Sequence, residues 1–316
     1  MSASNVFIYY GQSALQSIVI VLICSVIFAI VAVFFGCLFA GIDRKISARM
    51  QGRVGPSILQ PYWDVRKLLA KEKVSVNGSE RIYVTFALIF VFLAGGIFFS
   101  GFVYMYLGSF TEGGNWLLCV FVVTLATLLF IMAAYSSRSP YAEVGGAREI
   151  LQVMSYEPTV MLVTVCFSIL TTTFSVQSTL MMQAPVIVQL WPSFLALLFV
   201  LIIKLRKSPF DISMSHHAHQ EIVRGMTTEM SGPTLAKVEI MHWAENFLFM
   251  SWVAIFFVWS NPISIFIGIL VAIVVYFLRI WIDNNFARVK WQAMLKWSWL
   301  SCLVLCGLNM IVLIFI

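Results

Sequence analysis

Long apolar stretches without a single cationic side chain alternate with short windows that hold all of them. Lys and Arg total 20, and each lies between Arg44 and Arg81, Arg138 and Arg148, Lys204 and Lys237, or Arg279 and Lys296. A cation is costly at the centre of a bilayer, and positive charge is retained on the cytoplasmic side. The alternation therefore predicts a polytopic helical membrane protein whose basic windows share that side. A hydrocarbon layer about 30 Å thick needs roughly 20 apolar residues per helix. Eight segments qualify: Ser13 to Gly41, Ile82 to Leu107, Trp116 to Tyr135, Thr159 to Phe174, Val188 to Ile203, His242 to Trp259, Ile263 to Ile282 and Trp297 to Ile316. An even number puts both termini on one side, outside. The first segment is too long for a removed signal peptide and lacks its basic start and small-residue cleavage site.

The expected fold class is an all-α integral membrane protein of the cytoplasmic (inner) membrane, eight transmembrane helices with cytoplasmic amphipathic helices and loops. One polytopic domain, 1–316, carries its functional loops at about 43–81, 136–157, 204–241 and 283–296. Composition agrees: 61% hydrophobic and 11% charged residues exclude a water-soluble domain. The net charge of +6 is explained by topology, so no nucleic-acid partner is expected. The outer loops carry only Glu112 of the 14 acids. Tryptophans 63, 243, 281, 291 and 297 fall near span ends and fit an interfacial belt.

Cofactor chemistry is weakly represented. Cys24, Cys37, Cys119, Cys166, Cys302 and Cys306 all fall inside predicted spans without a CxxC cluster, which fits packing and not an iron–sulfur centre. Gly145 and Gly146 have neither the spacing nor the preceding strand of a phosphate loop. No cofactor is expected in this chain.

The cytoplasmic windows are richer than connectors require. In the first, Gly55 and Pro56 force a turn, and Pro61 suits the first position of a short helix to about Lys71, with Tyr62, Val65, Leu68 and Leu69 on its apolar face. It is expected along the membrane surface. Glu143, Glu149, Glu157, Glu221, Glu229, Glu239 and Glu245 flank spans on the inner side, and Glu157 precedes Pro158 at the expected boundary. Glu149, Gln152 and Tyr156 share one helical face; His217, Glu221 and Arg224 share another. Such faces suit either a proton-conducting chain or an ion-pair network neutralised by Arg148 and Arg224. Adjacent His216 and His217 diverge on a helix, so no metal site is expected, and His216, His217 and His219 read as a proton relay, as hydrogen-bonding groups for a docked subunit, or as plain loop polarity. No charged residue lies in the middle of a predicted span, which argues against an independent secondary transporter.

Three ordered motifs give a resemblance. GRVGPSILQPYWDVRKLLAKE (52–72), GGAREILQVMSYE (145–157), and SPFD (208–211) followed by EIVRG (221–225) and EMSGP (229–233) resemble the complex I subunit 1 family, which anchors the hydrophilic arm. Membrane-bound energy-converting [NiFe] hydrogenases share that family. The stretch after Asp211 is long and holds three of the four histidines, and Lys204, Arg206 and Lys207 stand where complex I has acidic character. Both departures resemble the Ech-type branch and put quinone binding in doubt.

The resemblance implies an ion-pumping membrane subunit coupling ferredoxin-linked H2 evolution to H⁺ or Na⁺ translocation. Its expected partners are the NiFe large and Fe–S small hydrophilic subunits, a ferredoxin-like Fe–S subunit and an antiporter-like membrane subunit, with the Fe–S clusters and NiFe centre in those partners. The implied proton-coupling residues are Glu143, Glu149, Glu157, Glu221, Glu229, Glu245, His217 and Asp211. The implied arm-docking residues are Arg53, Gly55, Pro56, Gln60, Asp64, Lys67, Lys71, Pro209 and Phe210. The quinone-site subunit of complex I is the alternative.

Overall fold

A computed structural model describes residues 3–74, 77–107, 113–213 and 224–315, with backbone alone for 3–14, 106 and 107. The helices are α1 Ala3–Met50, α2 Gln60–Leu69, α3 Gly78–Leu107, α4 Trp116–Ser136, α5 Pro140–Thr171, α6 Val176–Leu180, α7 Ile187–Lys204, α8 Gly232–Ile255 and α9 Ser264–Asn285. The last crossing is α10 Trp291–Ser301, which passes through a π turn, Cys302–Gly307, into α11 Leu308–Phe315. Seven of the described crossings are long and apolar enough to span a membrane: α1, α3, α4, α5, α7, α9 and the α10–α11 helix. The eighth expected crossing, α8, is long enough at 24 residues but too polar, carrying Glu239, His242, Glu245 and Asn246. It compensates by burial: Trp243, Ala244, Glu245, Leu248 and Phe249 are buried, and the helix packs against α1, α2, α3 and α9.

Helix ends follow tertiary contacts more than hydropathy. The first crossing continues nine residues beyond Gly41, because α2 and the connector before it fold against its end. A side chain at Gly41 would meet the Ile58 carbonyl oxygen at 1.8 Å, so Gly41 is where the connector seats. Gly41→Ala is expected to overpack that seat, costing about 1–3 kcal/mol and speeding tryptic cleavage after Arg53. An unchanged cleavage rate would count against close seating.

Expected span boundaries move most in α5. The helix does not begin near Thr159 but at Pro140, and Pro158 lies inside it. Proline removes the hydrogen bond to the carbonyl four residues back, that of Met154. Trp299 Nε1 donates to Met154 O at 3.1 Å, and Ser298 Oγ donates to the neighbouring Ser155 carbonyl, so α10 supplies what the backbone lacks.

On the face opposite the basic windows, the connectors are stitched by backbone bonds. Trp116 N donates to Phe174 O, Val176 N to Gly114 O, and Ile187 N to Phe256 O. Helix α2 is docked on α8, with Val65 packed against Cys37, Ala236 and Trp243. Its expected apolar face is only partly used, for Tyr62 and Leu69 are exposed. Trp243 is buried, a core residue and not a belt residue, while Trp63, Trp281, Trp291 and Trp297 are exposed as expected. A side chain at Gly36 would meet Trp243 Cβ at 2.7 Å, so the glycine is what lets α8 approach α1 there.

Candidate functional site

The basic end of the bundle holds two ion networks. The outer one joins three helices. Lys207 Nζ lies 2.6 Å from Asp43 of α1 and 3.2 Å from Asp283 of α9, and Arg279 approaches Asp43 at 3.8 Å. Arg279 Nη1 donates to Asn246 Oδ1 of α8 at 2.8 Å. Burial alone would push the Lys207 ammonium down, but the carboxylates of Asp43 and Asp283 outweigh it and hold its pKa above the ordinary lysine value.

The inner network is almost sealed from solvent. The Arg206 guanidinium grips Glu149 with Nε at 2.9 and 3.1 Å and Nη2 at 2.7 Å, and its Nη1 faces Glu245 at 3.5 Å. Its backbone is left-handed at φ 50°, which ends the turn after α7 and folds the side chain back toward α5. That conformation costs a non-glycine residue about 1–2 kcal/mol, which the two charge contacts offset. Burial opposes the guanidinium charge, and Glu149 and Glu245 overcome it, raising the pKa further. Ser213 Oγ bridges Glu149 and Gln152 at 2.5 and 2.6 Å, and Gln152 Nε2 donates to the Phe210 carbonyl.

Deeper still, Lys204 Nζ donates to Thr127 Oγ1 at 2.8 Å and Tyr156 OH at 3.0 Å, and stands 3.7 Å from Glu245. Glu157 lies beyond it, bonded to the Thr124 hydroxyl, and lines one small cavity together with Lys204, Tyr156, Phe249 and Trp252. Glu149, Glu245 and Lys204 are each at most 2% exposed. Within this inner row acids and bases alternate from Glu149 through Arg206, Glu245 and Lys204 to half-buried Glu157, spaced closely enough for charge or proton rearrangement to be felt along it.

Several expectations are corrected by this geometry. Glu157 does not sit at a boundary but inside α5, and Glu245 lies midway along α8, so ionisable groups do lie within crossings. Glu245 is paired there with Lys204 and Arg206, whereas Glu157 is held by the Thr124 hydroxyl and no cation lies within salt-bridge distance among the described residues. Lys204, Arg206, Lys207 and Arg279 supply the cationic charge of these two networks; Arg148 Nη1 donates to Ile212 O at 3.4 Å, and the Arg224 charge acts on Glu239. Glu149, Gln152 and Tyr156 do share one buried face. Glu143 is exposed on the first turn of α5 and apart from the network. Glu229 is half-buried and its charge acts on Glu80. Asp211 is buried and pairs with Arg288 at 3.1 Å. His216, His217, His219 and Glu221 lie outside the described residues.

Of the proposed docking residues, Arg53, Gly55, Pro56, Lys67 and Lys71 are exposed. Gly55 has φ +76°, the left-handed turn that its motif implied. Asp64 accepts from Arg44 at 2.6 Å and from Gln60 at 2.9 Å, tying α2 to α1. Pro209 and Phe210 are buried, with Phe210 against Phe199, so they anchor the loop inward and offer no surface to an arm.

Residues missed by sequence reasoning include Asp43, Asp283, Arg279 and Glu80. Glu80 is 1% exposed, and its Oε2 meets no hydrogen-bond donor among the described residues. Asp43, Arg279 and Asp283 each close an apolar run at the same membrane face, a signal that could have paired them.

Comparison with known proteins agrees with this layout. A family model described as NADH dehydrogenase matches residues 21–314, nearly the whole bundle. This chain belongs to the NADH dehydrogenase family. It is a multi-pass membrane member, similar to an NADH-quinone oxidoreductase subunit of Dehalococcoides mccartyi, 26% identical over 91% of this chain and 83% of that one. It is also similar to hydrogenase-4 component C of Escherichia coli (strain K12), 28% identical over 66% of each chain. A chain from the structure of the membrane-bound sulfane sulfur reductase, an archaeal respiratory membrane complex, shares the fold. Its TM-score is 0.80 at 24% identity, covering 93% of this chain and 99% of that one.

Proposed function

We propose that this chain is the membrane subunit of an ion-pumping, energy-converting [NiFe] hydrogenase. On this reading it docks the hydrophilic Fe–S and NiFe subunits at its basic face, which is cytoplasmic, and couples ferredoxin-linked H2 evolution to H⁺ or Na⁺ movement through an antiporter-like neighbour. The observation that carries the coupling role is the buried row from Arg206 and Glu149 through Glu245 to Lys204, with half-buried Glu157 lining a small cavity beside Lys204. Buried ionisable groups inside a membrane bundle are costly even when paired, and where they occur they mark ion or proton pathways. The hydrogenase branch draws support from the hydrogenase-4 component C match, and from the basic Lys204, Arg206 and Lys207 that build the network. Redox chemistry belongs to the partners: the clusters and NiFe centre reside there, and this chain positions protons and charges.

A second reading, the quinone-site subunit of complex I, is favoured by the NADH-quinone oxidoreductase match and by a cleft of about 720 Å³ beside Pro209, Asp211 and Ile212. Its rim carries Arg148, Arg288 and Lys290. Purification of the native complex and mass spectrometry of its subunits decides between them. NiFe and ferredoxin-like subunits support the hydrogenase, whereas flavin-bearing NADH-oxidising subunits with quinone crosslinked near Pro209 support the other.

Sidedness has its own test. The native cysteines are buried, so introduced ones report cleanly. Cysteine in place of exposed Gln183 is expected to react with an impermeant thiol reagent only from outside, and one in place of exposed Ser57 only from inside. Reversed labelling overturns the orientation.

A further inference from the structure

We propose that the basic ends of α3 and α8 form a binding site for the phosphate headgroup of an anionic phospholipid. The site is a surface groove of about 510 Å³ lined by Gly78, Arg81, Ile82, Thr85, Phe86 and Lys237. Its two cations are Arg81 and Lys237, and the lysine is held in place. Lys237 Nζ donates to Thr85 Oγ1 at 2.6 Å, and that hydroxyl donates to the Arg81 carbonyl at 2.7 Å, so the ammonium is held at the groove. Val74, next to Lys73, and Asn77, next to the start of α3, are each hydrogen-bonded to another part of the chain. Ser231 Oγ donates to Val74 O at 3.1 Å, and Asn77 Nδ2 to Ser136 O at 3.1 Å.

Charge at this spot is uncompensated. The ionised groups acting on Lys237 are Arg81 and Lys73, both cations. Among the described residues, none of these three pairs with a carboxylate. Of the acids near in the chain, Glu72 and Glu239 form no ion pair with these cations among the described residues, the cations acting on Glu239 being Arg44 and Arg224, and Glu80 is buried with Glu229 as the charge that acts on it. Elsewhere on the same face Lys204, Arg206, Lys207, Arg279 and Arg288 all have acid partners. Basic topology determinants need only lie on the correct side. They need not converge against mutual repulsion, and convergence without an acid fits an anion shared between them.

What lies beneath the cations selects the source of that anion. Ile82, Phe86 and Ile89, four and then three residues apart, form an exposed apolar stripe running down α3 from the groove into the span. A free phosphate has no use for the stripe, whereas a phospholipid places its headgroup on Lys73, Arg81 and Lys237 and an acyl chain along it. The groove thus fits a lipid of the leaflet on the basic side, held at the junction of α3, α8 and the α2–α3 connector.

The test uses the full chain in its native complex, purified in mild detergent and examined by native mass spectrometry with added phosphatidylglycerol or phosphatidylcholine. Arg81→Gln and Lys237→Gln are compared with Lys296→Gln, an exposed charge loss on the same face. One phosphatidylglycerol retained in preference to phosphatidylcholine, weakened about fivefold by each groove variant and unaffected by Lys296→Gln, is expected. Equal weakening in all three variants would mean diffuse charge attraction and would overturn the site. So would displacement by millimolar inorganic phosphate, which would identify a free-anion site, or the absence of any preference for phosphatidylglycerol. If Lys237→Gln perturbs packing, seen as altered elution, the exposed Arg81→Gln alone decides.

Discussion

Replacing Arg206 with methionine is expected to destabilise the protein by about 3–5 kcal/mol, the cost of removing one partner from a buried ion pair. The Glu149 carboxylate would keep Ser213 but lose three guanidinium contacts, and Glu245 would be left with Lys204 alone at 3.7 Å. Both acids are at most 2% exposed, so water does not replace what is lost. The apparent Tm in detergent should fall by about 10 °C. Pairing the change with Glu149→Gln should recover more than half of the loss, because the orphaned charge is removed together with its partner. Additive losses in the double variant would show that the two residues are not coupled, and the inner network would then be a set of independent contacts.

Glu157→Gln should leave assembly and stability near the parent values while reducing ion pumping linked to H2 evolution by about 10²-fold, the lower end of what a positioned proton-transfer group contributes. Gln preserves shape and can still accept from or donate to Thr124 but cannot titrate. Glu157 makes no salt bridge within 4.0 Å among the described residues, so neutralising it strands no cation, which separates it from Glu149 and Glu245. A purified Glu157→Gln complex that pumps at the parent rate removes Glu157 from the coupling path. One that fails to assemble makes it a structural partner of Thr124.

Much of the bundle was legible because a bilayer imposes a one-dimensional rule. Every crossing needs an apolar run, and cations collect on one side, so the basic windows and seven of the crossings could be read directly from residue order. The Gly55 turn and the α2 helix were also legible, since proline and glycine act locally. The candidate site was legible only in part. Glu149, Gln152 and Tyr156 could be placed on one face by helical spacing. Their partners Arg206, Ser213 and Lys204 lie 48 to 64 residues further along the chain, and no periodicity links them. Pro158 marked a boundary in the sequence, yet α5 passes through it because Trp299 of a distant helix caps the vacant Met154 carbonyl.

The sequence by itself determined which residues must cross the membrane and which end of the bundle is basic, because burial in hydrocarbon depends on each segment's own composition. Tertiary structure alone decided that the polar α8 sits at the centre, that Glu157 and Glu245 lie inside the bundle, and that Asp43, Lys207, Asp283 and Arg279 meet. An ionised group tolerates such a place only when a specific partner arrives from another helix. That arrival is a fact of packing in three dimensions.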